Sequence, residues 1–153
     1  MARILIADDD DLIAELASHI LIDVGHACGW VTSGEEAWEV AHKRRPDILL
    51  LDQSLPGISG VNLLRKFRTS AQFYDLPVIM FTAMSGNTDE ARAIYAGAQD
   101  YIRKPFDPAH LVSRVGRVLA RRADRPQHTD LKTSVLRQAG QLRERTPLAR
   151  RVV

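Results

Sequence analysis

The apolar positions of residues 1–121 alternate between two patterns. Short unbroken runs, Arg3-Ile-Leu-Ile-Ala7, Asp47-Ile-Leu-Leu-Leu-Asp52 and Pro77-Val-Ile-Met-Phe-Thr82, are separated by longer segments in which apolar residues recur every three or four positions. The runs predict strands covered on both faces, and the longer segments predict amphipathic helices. The first strand stops at four consecutive aspartates, Asp8 to Asp11. The helix after it carries Leu12, Ile13, Leu16, Ile20 and Val24 on its expected core face and ends near Gly25. A second strand is predicted at 27–32. Ser33-Gly-Glu-Glu36 reads as a capping box, the hydroxyl and the carboxylate each satisfying the other's backbone amide, so a helix should run to about Arg44 before Pro46 breaks it. Further elements follow at 60–68 after the Pro56-Gly57 turn, at 87–96 and at 100–103. Asp107 caps a last helix, with Pro108 at its first position, that reaches about Arg121.

Five strands alternating with five helices predict an α/β fold, a doubly wound five-stranded parallel sheet with right-handed crossovers. Ligands of such sheets bind in the crevice at the carboxyl ends of the strands. Asp8, Asp9, Asp52, Thr82 and Lys104 all fall at or just past strand ends on that edge. Three carboxylates gathered there repel one another, and a divalent cation relieves the cost. All-oxygen ligation favours Mg²⁺, which keeps positions open for phosphate oxygens. Phosphoryl transfer asks for an in-line nucleophile and positive charge, and Asp52 with Mg²⁺ and Lys104 supplies both. A carboxylate nucleophile yields an acyl phosphate.

Composition narrows this picture. With 153 residues and 45% apolar content, one core of ordinary size is expected. No apolar run approaches the about 20 residues of a membrane span, and the N-terminal residues lack a signal pattern, so a soluble, cytoplasmic chain is expected. Cys28 has no partner for a disulfide or a cysteine zinc site. Cys28, Trp30 and Trp38 read as packing residues, and His19, His26 and His42 lack metal-ligand spacing. The 21 basic and 19 acidic residues divide unevenly: residues 121–153 hold nine and three, leaving twelve and sixteen for residues 1–120. Residues 122–153 therefore form a basic extension. Leu131, Val135, Ala139 and Leu142 predict a short amphipathic helix at 131–145. A solvated tail, a segment docked on a protein partner and one docked on its own domain remain open. Charge without aromatics or a motif does not favour nucleic acid.

Five ordered features, Asp8-Asp9, Asp52 with Pro56-Gly57 behind it, Thr82-Ala83, Tyr101 and Lys104-Pro105, resemble those of the receiver domains of two-component response regulators across residues 2–121. Thr82 follows Asp52 by 30 residues and Lys104 by 52, spacings that also fit that family. The resemblance implies a flavodoxin-like receiver fold with residues 1–121 as the receiver domain. It implies that Asp8 and Asp9 hold Mg²⁺ with Asp52 and the Ser54 backbone carbonyl, and that Asp52 is phosphorylated from a sensor histidine kinase or histidine phosphotransfer protein. Thr82 and Lys104 would engage the phosphoryl group, and Ala83 would leave room for Tyr101 to swing inward. Tyr101 also reads as a half-buried aromatic on an edge strand. The Lys104-Pro105 bond is expected to be cis. Ser54 and Met84 would flank the attacking water; neither carries a carboxylate or amide, which predicts slow self-dephosphorylation. Asp10 and Asp11 read as helix-terminus acids. The resemblance gives a signalling module rather than an enzyme, a single-domain regulator acting through a protein-binding surface, with homodimerisation left open. Two alternatives remain: a transcription regulator acting through the basic tail, and an aspartate-nucleophile phosphatase of the haloacid-dehalogenase type using Asp8. The latter lacks its later acidic metal pair.

Overall fold

The computed structural model describes residues 1–83, 87–124 and 149–151. Strands β1 (Arg3–Ala7), β2 (Ala27–Val31), β3 (Ile48–Leu51), β4 (Val78–Thr82) and β5 (Asp100–Arg103) alternate with helices α1 (Asp11–Asp23), α2 (Gly34–Lys43), α3 (Gly60–Arg68), α4 (Asn87–Tyr95) and α5 (Pro108–Asp124). A short β6 (Ala149–Arg151) follows. The strand order is β5-β4-β3-β1-β2-β6, and every pairing is parallel. The five predicted strands and five helices are thus present as a doubly wound sheet, with β6 added to the β2 edge.

Strand alternation divides the core. Leu49 and Leu51 of β3 face α2, α3 and α4, among Leu63, Leu64, Phe67, Phe73 and Leu76. Ile48 and Leu50 face α1 and α5, among Ala14, Ala17, Leu21, Leu111 and Val115. Burying each large aliphatic side chain contributes roughly 1.5–3 kcal/mol, so both faces are needed to offset chain entropy.

The structure corrects the predicted face of α1. Its buried residues are Ala14, Ala17, Ser18 and Leu21; of the expected face, Ile13 and Ile20 pack partly buried against the same core, whereas Leu12, Leu16 and Val24 are at least half exposed. Alanines and Ser18 take the centre of the inward face because α1 lies close against the sheet and α5, with Leu21 filling the space towards its end. The capping box is half formed. Ser33 Oγ accepts from the Glu36 amide at 3.2 Å, but Glu36 receives the Thr32 hydroxyl at 3.2 Å rather than the Ser33 amide. Helix α5 runs to Asp124, past the expected end at Arg121. The predicted helix at 131–145 and Met84 lie outside the described residues.

Candidate functional site

Backbone bonds carry the acids to the sheet's carboxyl edge. The Asp52 amide donates to Ala7 O at 2.9 Å, and the Asp8 amide to Val31 O at 3.0 Å, so both residues extend the ladder by one step into the crevice. Asp8 is fully buried, Asp52 nearly so, and Asp9 is exposed. One carboxylate oxygen from each of Asp8, Asp9 and Asp52 lies within 4.8 Å of the other two. Asp10 caps α1, its Oδ1 accepting from the Leu12 and Ile13 amides, while its own amide donates to Asp8 Oδ1 at 3.0 Å. Asp10 and Asp11 thus serve the helix terminus, as expected.

Lys104 is the cation of the site. Its amide donates to Thr82 O at 3.0 Å, continuing the β4–β5 pairing, and the next peptide bond, Lys104-Pro105, is cis. The Lys104 ammonium donates to Asp8 and also reaches Asp52 at 3.4 Å, with the Phe81 ring 5.0 Å away. Sequence reasoning assigned Lys104 to the phosphoryl group and missed its grip on Asp8. Among the described residues, the Lys104 ammonium pairs with two of the three clustered carboxylates, and burial pushes the Asp8 carboxyl up to about 6 against the opposing pull of Lys104 and the Asp10 amide.

The loop after β3 is shaped by contacts that the sequence did not single out. Gln53 O accepts the Gly60 amide at 2.9 Å and Gln53 Oε1 the Val61 amide at 2.8 Å, folding the loop back onto the start of α3. A Cβ on Gly60 would lie 2.3 Å from Asp52 O, so only glycine permits this approach. Ser54 lies on that loop, its amide 3.4 Å from Asp52 Oδ1 and its side chain exposed. The Gly after Ser59 was the available signal, but it was legible only as a helix start.

Thr82 is buried at the end of β4 and Ala83 is exposed just beyond it. Tyr101 is buried on edge strand β5, more deeply than half-buried. It borders a cavity of about 260 Å³ with Gln53, Met80, Asp89, Arg92 and Ala93. Burial and the nearby Asp89 carboxylate raise the Tyr101 hydroxyl above its ordinary pKa. Cys28 is buried, with its thiol pushed up to about 12 by that burial, as a packing residue should be. Trp30 does more than pack: its indole donates to Asp11 at 3.0 Å, tying β2 to the start of α1.

Comparison with known proteins gives a consistent result. The profile of the response regulator receiver domain matches residues 4–116. The DNA-binding response regulator MtrA of Mycolicibacterium smegmatis is 36% identical over 124 residues, covering 81% of this chain and 53% of that protein. The phosphate regulon transcriptional regulatory protein PhoB of Pseudomonas aeruginosa is 39% identical over 118 residues, covering 77% and 52%. The chain spans about half the length of these curated relatives. Among solved structures, the chemotaxis protein CheY4 of Vibrio cholerae superimposes with a TM-score of 0.72 at 30% identity, covering 77% of this chain and 98% of that one.

Proposed function

The chain belongs to the response regulator receiver family of two-component signalling, and on that premise we propose that Asp52 is its phosphoacceptor. The observation that carries this reading is the convergence of Asp8, Asp9, Asp52 and the Lys104 ammonium at one strand edge. The donor set fits Mg²⁺: the oxygens are close enough to share one ion, all are hard ligands, and Lys104 leaves their combined charge unmatched. Asp8, Asp9, Asp52 and the Ser54 backbone carbonyl would hold it. When bound, the ion supplies positive charge beside the phosphoryl oxygens.

The protein's own groups do the rest. An Asp52 carboxylate oxygen attacks the phosphorus of a phosphohistidine, the P–N bond breaks, and an acyl phosphate forms while the donor imidazole leaves with the electron pair. Lys104, already within reach of Asp52, pairs with a phosphoryl oxygen. The Thr82 hydroxyl turns to another, and Tyr101 responds from the adjoining cavity, so that the surface around β5 changes. The donor is a sensor histidine kinase or histidine phosphotransfer protein. Ser54 offers only a hydroxyl to the attacking water, so self-dephosphorylation is slow; a phosphoryl half-life of seconds would argue against this. Among the described residues, no helix is long and apolar enough to cross a membrane, and a cytoplasmic site of action suits a kinase-fed receiver. DNA contact, named for relatives about twice this length, stands only as an alternative output.

The test is intact-protein mass after treatment with acetyl phosphate and Mg²⁺, with an EDTA control. A gain of roughly 80 Da that requires Mg²⁺ and vanishes in Asp52→Asn is expected. Modification that persists in Asp52→Asn would move the nucleophile elsewhere, and none at all in wild type would remove the phosphoacceptor role.

A further inference from the structure

Strand β2 would be the outer edge of the five-stranded sheet, and such edges present unpaired amides and carbonyls to any passing strand. Natural edges are guarded by charged residues, proline or bulges. The β2 sequence Ala27-Cys-Gly-Trp-Val31 has none of the charges or prolines that do this. Residues 149–151 lie along that edge, with Cys28 opposite Ala149, Gly29 opposite Arg150 and Trp30 opposite Arg151. The guard absent from β2 is present in the sequence of β6, Ala-Arg-Arg, which becomes the new edge.

We propose that the β2 edge is a strand-addition site and that residues 149–151 of the same chain close it as a detachable latch. Chain direction permits this. Helix α5 follows the carboxyl end of β5 and so ends at the amino edge of the sheet, where β6, parallel to β2, must begin. Twenty-four residues separate Asp124 from Ala149; they can span up to about 80 Å, against the about 24 Å that five inter-strand steps require. Covalent connection within one chain holds residues 149–151 at an effective concentration in the millimolar range, favouring closure within one chain over pairing between chains. Recognition is through the main chain, so the identities of the latch side chains matter little and proline is excluded. Three paired residues give a weak element that opens without unfolding the domain. Trp30 links the latched edge, through its indole bond to Asp11, to the start of α1 three residues beyond Asp8.

Peptide-resolved hydrogen exchange on the unphosphorylated protein tests this, with residues 48–51 of central β3 as the internal control. Four chains are compared: the full chain, a chain ending at residue 148, Arg150→Pro, and the double variant Arg150→Ala, Arg151→Ala. Exchange within 27–31 should accelerate at least about tenfold in the shortened chain and in Arg150→Pro, stay slow in the double alanine variant, and leave 48–51 unchanged throughout. Equal exchange at 27–31 in the full and shortened chains would overturn the proposal. Sedimentation at low and high protein concentration distinguishes the source of the strand. Protection that is the same in a monomer at both concentrations supports closure within one chain; protection that grows with dimerisation would show a second copy supplying the strand and overturn it.

Discussion

The two ends of the sheet treat charge in opposite ways. At the amino edge, every described acid at a strand start is matched. Asp47 accepts the Arg3 amide at 2.7 Å while its own amide returns to Arg3 O, pinning β3 to β1. Asp100 accepts the Tyr101 amide and the guanidinium groups of Arg114 and Arg117, which clamp α5 to β5. Arg68 donates to Gly97 O, Phe73 O, Tyr74 O and Gln99 Oε1, joining the end of α3 to both segments that lead into β4 and β5. At the carboxyl edge, Asp8 and Asp52 share Lys104, and the Asp9 carboxylate lies within 4.8 Å of both acids. The same residue type is thus used for stability at one end and held at a cost at the other. The lesson is that the end proposed for phosphoryl chemistry stands out by what remains electrostatically unmet.

The amino edge should fail first when its matches are removed. Arg68→Met keeps much of the side chain's bulk but leaves several carbonyls without their donor, and a loss of about 3 kcal/mol is expected from denaturant unfolding. Acetyl phosphate labelling of the folded variant should proceed at the wild-type rate. Labelling lost in parallel with stability would mean that the two edges are not separable.

Asp100→Asn should cost about 2 kcal/mol, since two guanidinium groups lose their carboxylate. Its pH signature sharpens the contrast. Burial alone would raise the Asp100 pKa, but the Tyr101 amide and the two arginines overcome it and hold the carboxyl below its ordinary value. A depressed folded pKa contributes stability that is present above the unfolded value and lost as pH falls through the folded one. Acid unfolding below about pH 4 should therefore be steeper in wild type than in Asp100→Asn, as circular dichroism would record.

Much of this architecture was legible in the sequence because strands covered on both faces leave unbroken apolar runs, as in Ile48 to Leu51, and because caps such as Ser33 and Asp107 mark helix starts. The acids and Lys104 were legible because topology alone sends strand ends to one edge. What escaped was set by packing. Leu12 and Leu16 keep helical spacing with Ile13 and Ile20, but proximity to α5 selects the alanine face instead. Strand β6 could not be read from Ala-Arg-Arg, which has neither apolar alternation nor β-branching; its pairing depends on the β2 edge, not on its own composition. Glu36 fits the capping box by spacing, yet its carboxylate accepts the Thr32 hydroxyl.

The smallest effect has the opposite sign, and it probes the carboxyl edge directly. Asp8 is fully buried, and desolvation lifts its carboxyl from 3.8 to about 6 despite Lys104. A raised folded pKa contributes stability that is complete below the unfolded value and disappears as pH rises through the folded one. In EDTA, wild-type stability should therefore fall between roughly pH 4 and pH 6 relative to Asp8→Asn and level off above it. At about pH 7.5 in EDTA, Asp8→Asn should be more stable than wild type by about 1 kcal/mol, because removing a charge from the crowded site outweighs weakening the bond to Lys104. Added Mg²⁺ should narrow or reverse that gap by stabilising wild type selectively, and Mg²⁺-dependent labelling of Asp52 should be lost in the variant. If Asp8→Asn were instead less stable in EDTA, the Lys104 pairing would dominate, and the carboxyl edge would be as fully matched as the amino edge. The cost of gathering these acids would then have to be sought at Asp9 and Asp52.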